Sequence, residues 1–265
     1  MKIKYALVFA PLFLIGCERQ ITVREVCDVN ESFCSDLNTD GHCNAIRSEV
    51  IVKRHLEKKD PSDENKYNLL LDFEEYSSCI HLASQIEHIK LKEKKNSRIK
   101  GYMTSLREIK RLIAETKDTS HPGILYYQWS QTNDEAALNK FLSLENTESM
   151  KNTQMQFLLA TYYIKFDLEK TVNLLYRALE LNPEHGTPNN EIYKTLVNIF
   201  YKQKKYKHAY IWALIAKESC IENIEITPLE HIMETQGKSL GNLEKLANKT
   251  LEQIESGTFF SPREF

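Results

Sequence analysis

The chain has 265 residues, of which 42% are hydrophobic and 27% charged, with only 8 glycines and 7 prolines. This composition supports a packed core and excludes collagen-like, mucin-like and wholly disordered chains. The formal net charge of −2 also excludes a general nucleic-acid binder, because no basic excess is present to neutralise phosphates.

The first residues are typical of a secretory leader. A basic start with Lys2 and Lys4 precedes the uncharged, mostly apolar residues 5–15. That run is shorter than the about 20 apolar residues that a membrane-spanning helix needs. We therefore interpret residues 1–16 as a signal peptide rather than as a spanning anchor.

The end of the leader, Leu14-Ile15-Gly16-Cys17, resembles the lipobox of bacterial lipoproteins. The resemblance implies that Cys17 becomes the mature N-terminus and carries several acyl chains, palmitate among them, that hold the protein to a lipid bilayer. Residue 18 is Glu rather than Asp, which by resemblance to Gram-negative lipoproteins implies transfer to the outer membrane. We expect the protein at the periplasmic face of that membrane.

Residues 17–43 are predicted to form a short, mainly irregular cap. Asp36, Asn38 and Asp40 copy the opening of a calcium-binding loop, with a glycine at the sixth place. The twelfth place requires an acidic ligand but is occupied by Arg47, which would repel the ion. A turn-rich loop, in which Asn and Asp side chains bond their own backbone, is the alternative.

The chain has six cysteines, and Cys17 is assigned to the lipid. Four others cluster early in the mature chain: Cys27, Cys34, Cys43 and Cys79. Because an exported protein meets an oxidising compartment, the cluster indicates disulfides rather than zinc, for which no C-x-x-C pair exists. Cys220 stands far away at the end of an apolar helical run, where we expect a buried free thiol.

Residues 44–120 are predicted to form a long helical hairpin with its turn near Pro61. Cys43 lies 18 residues before position 61 and Cys79 lies 18 residues after it, so helices of equal length bring both thiols to one level. The predicted disulfides are Cys43–Cys79 and Cys27–Cys34.

Two amphipathic helices are indicated within this region. The first apolar stripe is Leu69, Phe73, Tyr76, Ile80 and Ala83, continued by Ile86 and Ile89. The second apolar stripe is Tyr102, Leu106, Ile109 and Ile113. Residues 90–100 hold six basic residues and one acid. We interpret them as a solvated helix end, with contact to anionic headgroups or lipopolysaccharide as the alternative.

Residues 124–255 contain internal repetition. Helix pairs are predicted at 124–147, 150–183 and 189–220, and a further pair covers the open end. The second and third pairs carry a spaced pattern: Tyr162, Leu168, Ala178 and Pro183, then Tyr193, Leu196, Phe200, Tyr206, Ala209 and Ala216. These units resemble tetratricopeptide or Sel1-like repeats, which implies an α-solenoid. Residues 256–265 are predicted to be a loose tail.

The predicted fold is therefore all-α, with a helical hairpin N-terminal region followed by a short tetratricopeptide-like α-solenoid. The lipobox, the cysteine-containing run 33–43 and the repeats resemble one group of proteins as a whole. That group is the uncharacterised proteobacterial lipoproteins with a cysteine-containing N-terminal cap and tetratricopeptide/Sel1-like helical repeats. No activity comes with the resemblance.

In tetratricopeptide repeats the first helix of each pair lines the concave face. The resemblance therefore implies a partner-binding groove that consists of Gln156, Tyr163, Lys194, Asn198, Tyr201 and Lys202. Lys194 and Asn198 are one helical turn apart and resemble half of a carboxylate clamp. The aromatic pair Tyr163 and Tyr201 is typical of interfaces if it is exposed. A solvated helix face without a ligand is the alternative.

The sequence offers no catalytic motif such as H-E-x-x-H, G-x-S-x-G or a P-loop. We therefore expect a protein that is not an enzyme and that needs no cofactor. The favoured function is that of an outer-membrane lipoprotein whose helical groove binds an unidentified periplasmic or outer-membrane protein. A structural or assembly factor of an envelope complex is the alternative, and an enzyme acting on cell wall or lipid is a weaker one.

Overall fold

The computed structural model describes residues 21–87, 92–183 and 185–261. Within these residues the chain forms 13 α-helices and no strand, which confirms the predicted all-α fold. None of the described helices is long and apolar enough to span a bilayer. The predicted signal peptide and Cys17 lie outside the described residues. The chain divides into two compact units, unit 1 up to Lys117 and unit 2 from Asp118.

Unit 1 contains five helices, two of them short. They are α1 (Val23–Val29), α2 (Ser32–Ser35), α3 (Asn44–Lys59), α4 (Asp63–Ser84) and α5 (Lys92–Glu115). The cap is therefore partly helical, not mainly irregular as predicted. Thr22 and Glu25 start α1 with a reciprocal capping box. Ser62 caps α4 directly after the predicted break, so α3 and α4 form the expected hairpin, to which α5 adds a third long helix.

Helix α4 buries the apolar stripe that its sequence indicates. Leu69, Phe73, Tyr76 and Ile80 are fully buried, and Ala83 is 6% exposed. The helix ends at Ser84, so Ile86 lies beyond it and is exposed. Ile89 lies outside the described residues.

Helix α5 differs, because the side that it buries is polar. Its buried residues are Arg98, Gly101, Thr104, Ser105 and Leu112. Gly101 is required where α5 crosses α4, since a methyl group there would collide with the Tyr76 hydroxyl. The predicted second stripe is only half-buried at Tyr102, Ile109 and Ile113, and it is exposed at Leu106.

Unit 2 is a succession of packed helix pairs. Its helices are α6 (Pro122–Thr132), α7 (Glu135–Ser143), α8 (Thr153–Tyr163), α9 (Leu168–Glu180), α10 (Asn190–Lys202), α11 (Tyr206–Glu218), α12 (Thr227–Thr235) and α13 (Leu240–Glu255). The pairs α6–α7, α8–α9 and α10–α11 each pack together, and α13 covers α11. Asparagine and aspartate side chains cap four of these eight helices, namely Asp134, Asn152, Asp167 and Asn189.

Aromatic residues fill the core of unit 2. The Trp212 indole Nε1 donates to the Tyr176 hydroxyl at 3.2 Å, and Phe259 packs against both rings. Phe259 is 5% exposed, and the Ser261 backbone N–H donates to the Glu180 carboxylate at 2.8 Å. Within the described part of the predicted tail, Phe259 and Ser261 are therefore held against unit 2, whereas Phe260 is exposed.

Cys220 is an exposed free thiol, not a buried one as predicted. It follows the end of α11 with a left-handed φ of 56°. The reversal turns the chain off the apolar face that the preceding residues bury, so the thiol points to solvent.

Candidate protein-binding groove

Helix α10 of unit 2 stands between two furrows. On one side, Lys194, Val197, Asn198 and Tyr201 line a cavity of about 310 Å³ that is closed by the segment 223–229. The facing segment contributes apolar residues at Ile224, Pro228 and Leu229 and one acid, Glu225.

The second furrow separates α10 from α8. Asn198 and Lys202 line a cavity of about 420 Å³ together with Ile164, Lys165, Phe166 and Leu168. A neighbouring cavity of about 200 Å³ lies between Phe157, Thr161 and Ile164 of the α8 region and Glu191 and Thr195 of α10. We call the lining of these three cavities the α10 groove.

The outward face of α10 follows from the residues that it buries. Ile192, Tyr193, Leu196, Ile199 and Phe200 are at most 3% exposed and fix one side of the helix against the core. The helical period then turns the remaining positions outward. These outward positions include four of the predicted groove residues: Lys194, Asn198, Tyr201 and Lys202.

The polar groups of the groove are only loosely held. The Lys194 Nζ donates to Glu191 Oε1 at 2.9 Å, an exposed pair on one helix turn that contributes little stability. Tyr201 is 47% exposed and makes an edge-to-face contact with Tyr206. Because Glu225 faces Lys194 across the cavity, the site is of mixed charge and does not form a carboxylate clamp.

Gln156 and Tyr163, two of the predicted groove residues, do not line these three cavities. Gln156 is buried, and its side-chain nitrogen donates to the Met150 carbonyl at 2.7 Å. The Tyr163 hydroxyl donates to the Glu145 carboxylate at 2.8 Å, and the Lys170 Nζ lies 3.7 Å from its ring centroid. Burial raises the pKa of Tyr163.

Two residues near α8 that line the groove, Phe157 and Ile164, each lie one position after a predicted one. Phe157, Thr161 and Ile164 face α10 in place of the predicted Gln156 and Tyr163. Helix α8 is apolar on more than one side, so its periodicity selects no single face. The position of the Met150 carbonyl, which is a tertiary feature, decides that Gln156 turns inward.

The acidic residues of the candidate calcium loop form ion pairs with arginines instead. Asp36 receives two hydrogen bonds from Arg54, at 2.7 and 3.0 Å, and Asp40 receives one from Arg98 at 2.5 Å. Asn38 donates to Asp40 and is therefore part of the same loop network. Across the described residues, no group of three or more His, Cys, Asp and Glu side chains is arranged to hold a metal.

The four early cysteines form two disulfides in the predicted pairing. Cys27–Cys34 closes the cap on itself, with Cα atoms 5.8 Å apart. Cys43–Cys79 joins the end of the cap to α4, with Cα atoms 6.0 Å apart. The symmetric spacing about the α3–α4 turn was sufficient to find this pairing.

A family model matches residues 14–214 of the chain. The chain belongs to DUF2989, a family of proteins of unknown function. No curated protein and no solved structure matches it. In this DUF2989 protein, α8 and α10 lie within the matched residues, whereas the segment 223–229 that closes the first furrow lies beyond them.

Proposed function

We propose that this DUF2989 protein is a lipid-anchored, non-enzymatic interaction module of the cell envelope, which binds a protein partner in the α10 groove. The observation that carries the proposal is the pair of open furrows on either side of α10. They combine an exposed tyrosine, amide and ammonium groups and a wall of apolar residues. Such a mixture of aromatic, apolar and adaptable polar groups is typical of protein interfaces.

The groove suits a peptide segment better than a small charged ligand. Its cavities are open, and the two between α8 and α10 follow one another along α10, so an extended or helical segment can contact both of them. Lys194 and Glu225 offer one partner of each sign, and Asn198 offers both a donor and an acceptor to a peptide backbone. Paired helices with such a face support the tetratricopeptide-like interpretation.

The envelope location draws support from the cysteines. Two disulfides in one unit are typical of a protein that folds outside the reducing cytoplasm. Together with the lipobox sequence, they favour anchoring through Cys17 in the outer membrane. Loss of fatty-acid labelling in a Cys17→Ser variant is the expected result for that anchor.

Site-specific photo-crosslinking in intact cells tests the groove. A photoreactive amino acid at position 201 should yield a discrete crosslinked product, because Tyr201 lies at the rim of the first furrow. Lys194→Glu should weaken that product at least several-fold by placing an acid opposite Glu225. Helix content should stay unchanged, because Lys194 lies on the surface.

The matched control places the photoreactive group at Lys249, an exposed residue of α13 outside the groove. The same product from positions 201 and 249, or an unchanged yield with Lys194→Glu, would contradict the proposal. A stable complex that survives purification without crosslinking would favour the assembly-factor alternative.

A further inference from the structure

Helix α5 has a second face that unit 1 does not cover completely. Ile99, Met103 and Leu106 are 38%, 55% and 42% exposed, and Tyr102 beside them is half-buried. These four residues follow the i, i+3, i+4, i+7 spacing of one helix face, and we call them the α5 stripe. The stripe is turned away from the buried residues Arg98, Gly101 and Ser105.

Charge is distributed unevenly around α5. Its acids are Glu93, Glu108 and Glu115. Glu108 and Glu115 pair with Arg111, on the side that faces α3 and α4. With about 3.6 residues per turn, Glu93 also lies far around the helix from the stripe.

Lysines, in contrast, border the stripe. Lys92 and Lys110 are both exposed and lie about five helical turns apart on the same flank, one towards each end. The stripe side of α5 therefore combines apolar side chains with basic ones, and none of the acids of α5 lies on it; Glu87, which precedes the helix, is paired there with Lys95. Such a face is complementary to an anionic surface.

The predicted anchor lies close along the chain to the cap, and the cap contacts α5. Thr22 begins the capped start of α1 only five residues after Cys17, so the intervening chain reaches at most about 18 Å. The cap is fixed to α5, because Lys100 donates to the Ser35 carbonyl and Arg107 pairs with Asp36. An anchor at Cys17 therefore holds α5 near the bilayer at high effective concentration.

We propose that the α5 stripe is a peripheral docking surface for an anionic phospholipid bilayer. Ile99, Met103 and Leu106 enter the headgroup boundary, and Lys92 and Lys110 contact lipid phosphates. A second copy of this chain fits less well, because antiparallel pairing of two stripes would bring Lys92 of each copy near Lys110 of the other. The tether in this argument rests on the proposed lipidation, whereas the stripe itself does not depend on the α10 groove.

An environment-sensitive fluorophore on the full, membrane-extracted chain tests the proposal. It is attached at Met103→Cys on a Cys220→Ser background, and the protein is reconstituted into vesicles of phosphatidylglycerol and phosphatidylethanolamine. The emission at position 103 should shift to the blue and be quenched by brominated lipid. The same label at Lys100→Cys, on the side of α5 that faces the cap, should show neither effect.

The double variant Lys92→Gln, Lys110→Gln should lower the docked-to-undocked ratio by roughly 25-fold, at about fivefold per lysine. The matched variant Lys245→Gln, Lys249→Gln on α13 removes the same charge and should leave the ratio unchanged. Flotation of each sample with its vesicles reports the anchor separately, so a lost anchor is distinguished from a stripe that does not dock.

Three outcomes would overturn the proposal. The first is a floating protein that shows no shift at position 103. The second is an equal shift at positions 100 and 103, or an equal shift in pure phosphatidylcholine vesicles. The third is a shift that develops without vesicles as protein concentration rises, which would identify a second copy as the occupant of the stripe.

Discussion

Unit 1 buries charged side chains in its interior, whereas unit 2 fills its interior with apolar and aromatic ones. Arg98 is 1% exposed and Arg54 is 4% exposed, and both are paired with acids of the cap. In the described part of unit 2 the buried polar residues are uncharged. The largest buried side chains there are tyrosines and phenylalanines such as Tyr176, Tyr193 and Phe200.

The two interiors differ because unit 1 must hold a short cap against its helices, whereas unit 2 packs helices against each other. The cap of unit 1 is short and has few apolar residues to bury, so it is joined to the long helices by the Cys43–Cys79 disulfide and by arginine–aspartate pairs. Arg98 shows the arrangement, because it binds Asp40 of the cap, the Ala83 carbonyl of α4 and the His42 ring. Unit 2 stacks helix pairs on one another, and their apolar faces are sufficient for packing.

The largest effect is expected from Arg98→Met. The change leaves the Asp40 carboxylate, 4% exposed, buried without its cation, and we expect a loss of about 3–5 kcal/mol in the unfolding free energy of unit 1. Hydrogen bonds from Asn38 and Arg98 outweigh the effect of burial and lower the pKa of Asp40, so the buried group is ionised. Urea unfolding followed by circular dichroism measures the loss.

Two controls sharpen that experiment. Both tryptophans of the chain, Trp129 and Trp212, lie in unit 2, so their fluorescence follows that unit alone. Their transition should stay where it is in Arg98→Met. Adding Asp40→Asn should recover part of the loss, because the uncompensated charge is removed. A shifted tryptophan transition would contradict the separation of the two units.

The next effect is that of the disulfide between the cap and α4. Replacing both Cys43 and Cys79 by alanine should destabilise unit 1 by about 4 kcal/mol, since the bridge closes a loop of 36 residues in the unfolded chain. The Cys27 and Cys34 pair, with a separation of 7, should contribute roughly 2 kcal/mol. Equal losses for the two pairs would argue against an origin in the unfolded state.

The smallest effect is a pH dependence confined to unit 2. Burial, with a further contribution from Lys207 and Lys205, lowers the pKa of His208 below its ordinary 6.5. As pH falls below 6.5, the unfolded state binds this proton before the folded state does, so the stability of unit 2 decreases with falling pH until the folded-state pKa is passed. The tryptophan transition should move accordingly between neutral and mildly acidic pH.

His208→Gln should remove this decrease in the stability of unit 2 between neutral and mildly acidic pH. The exposed residue His231 on α12 provides the matched control, His231→Gln. Asp40 in unit 1 behaves differently, because its lowered pKa supplies stability that is lost only below its ordinary value of 3.8. If the stability of unit 2 depends on pH in both variants as it does in the unaltered protein, His208 is not the source of that dependence.

The local sequence pattern was sufficient to predict the buried face of a helix wherever burial of apolar side chains was the dominant force. The stripe of α4 and the buried face of α10 follow from apolar spacing, because a helix with one apolar side has only one way to bury it. The disulfide pairing follows from equal distances to the α3–α4 turn. These features need no knowledge of distant residues beyond the fact that the helices pack.

The sequence by itself determined the all-α fold, the α3–α4 hairpin with its bridges and the outward residues of α10. Only the tertiary structure decided which side of α5 and which side of α8 face inward. In α5 the partners of Arg98 lie in the cap and in α4, far away in sequence, and they bury a polar side while the apolar one stays outside. In α8 the carbonyl of Met150 turns Gln156 inward. Hydrogen bonds and ion pairs depend on the position of their partner, and periodicity carries no information about a partner on another element.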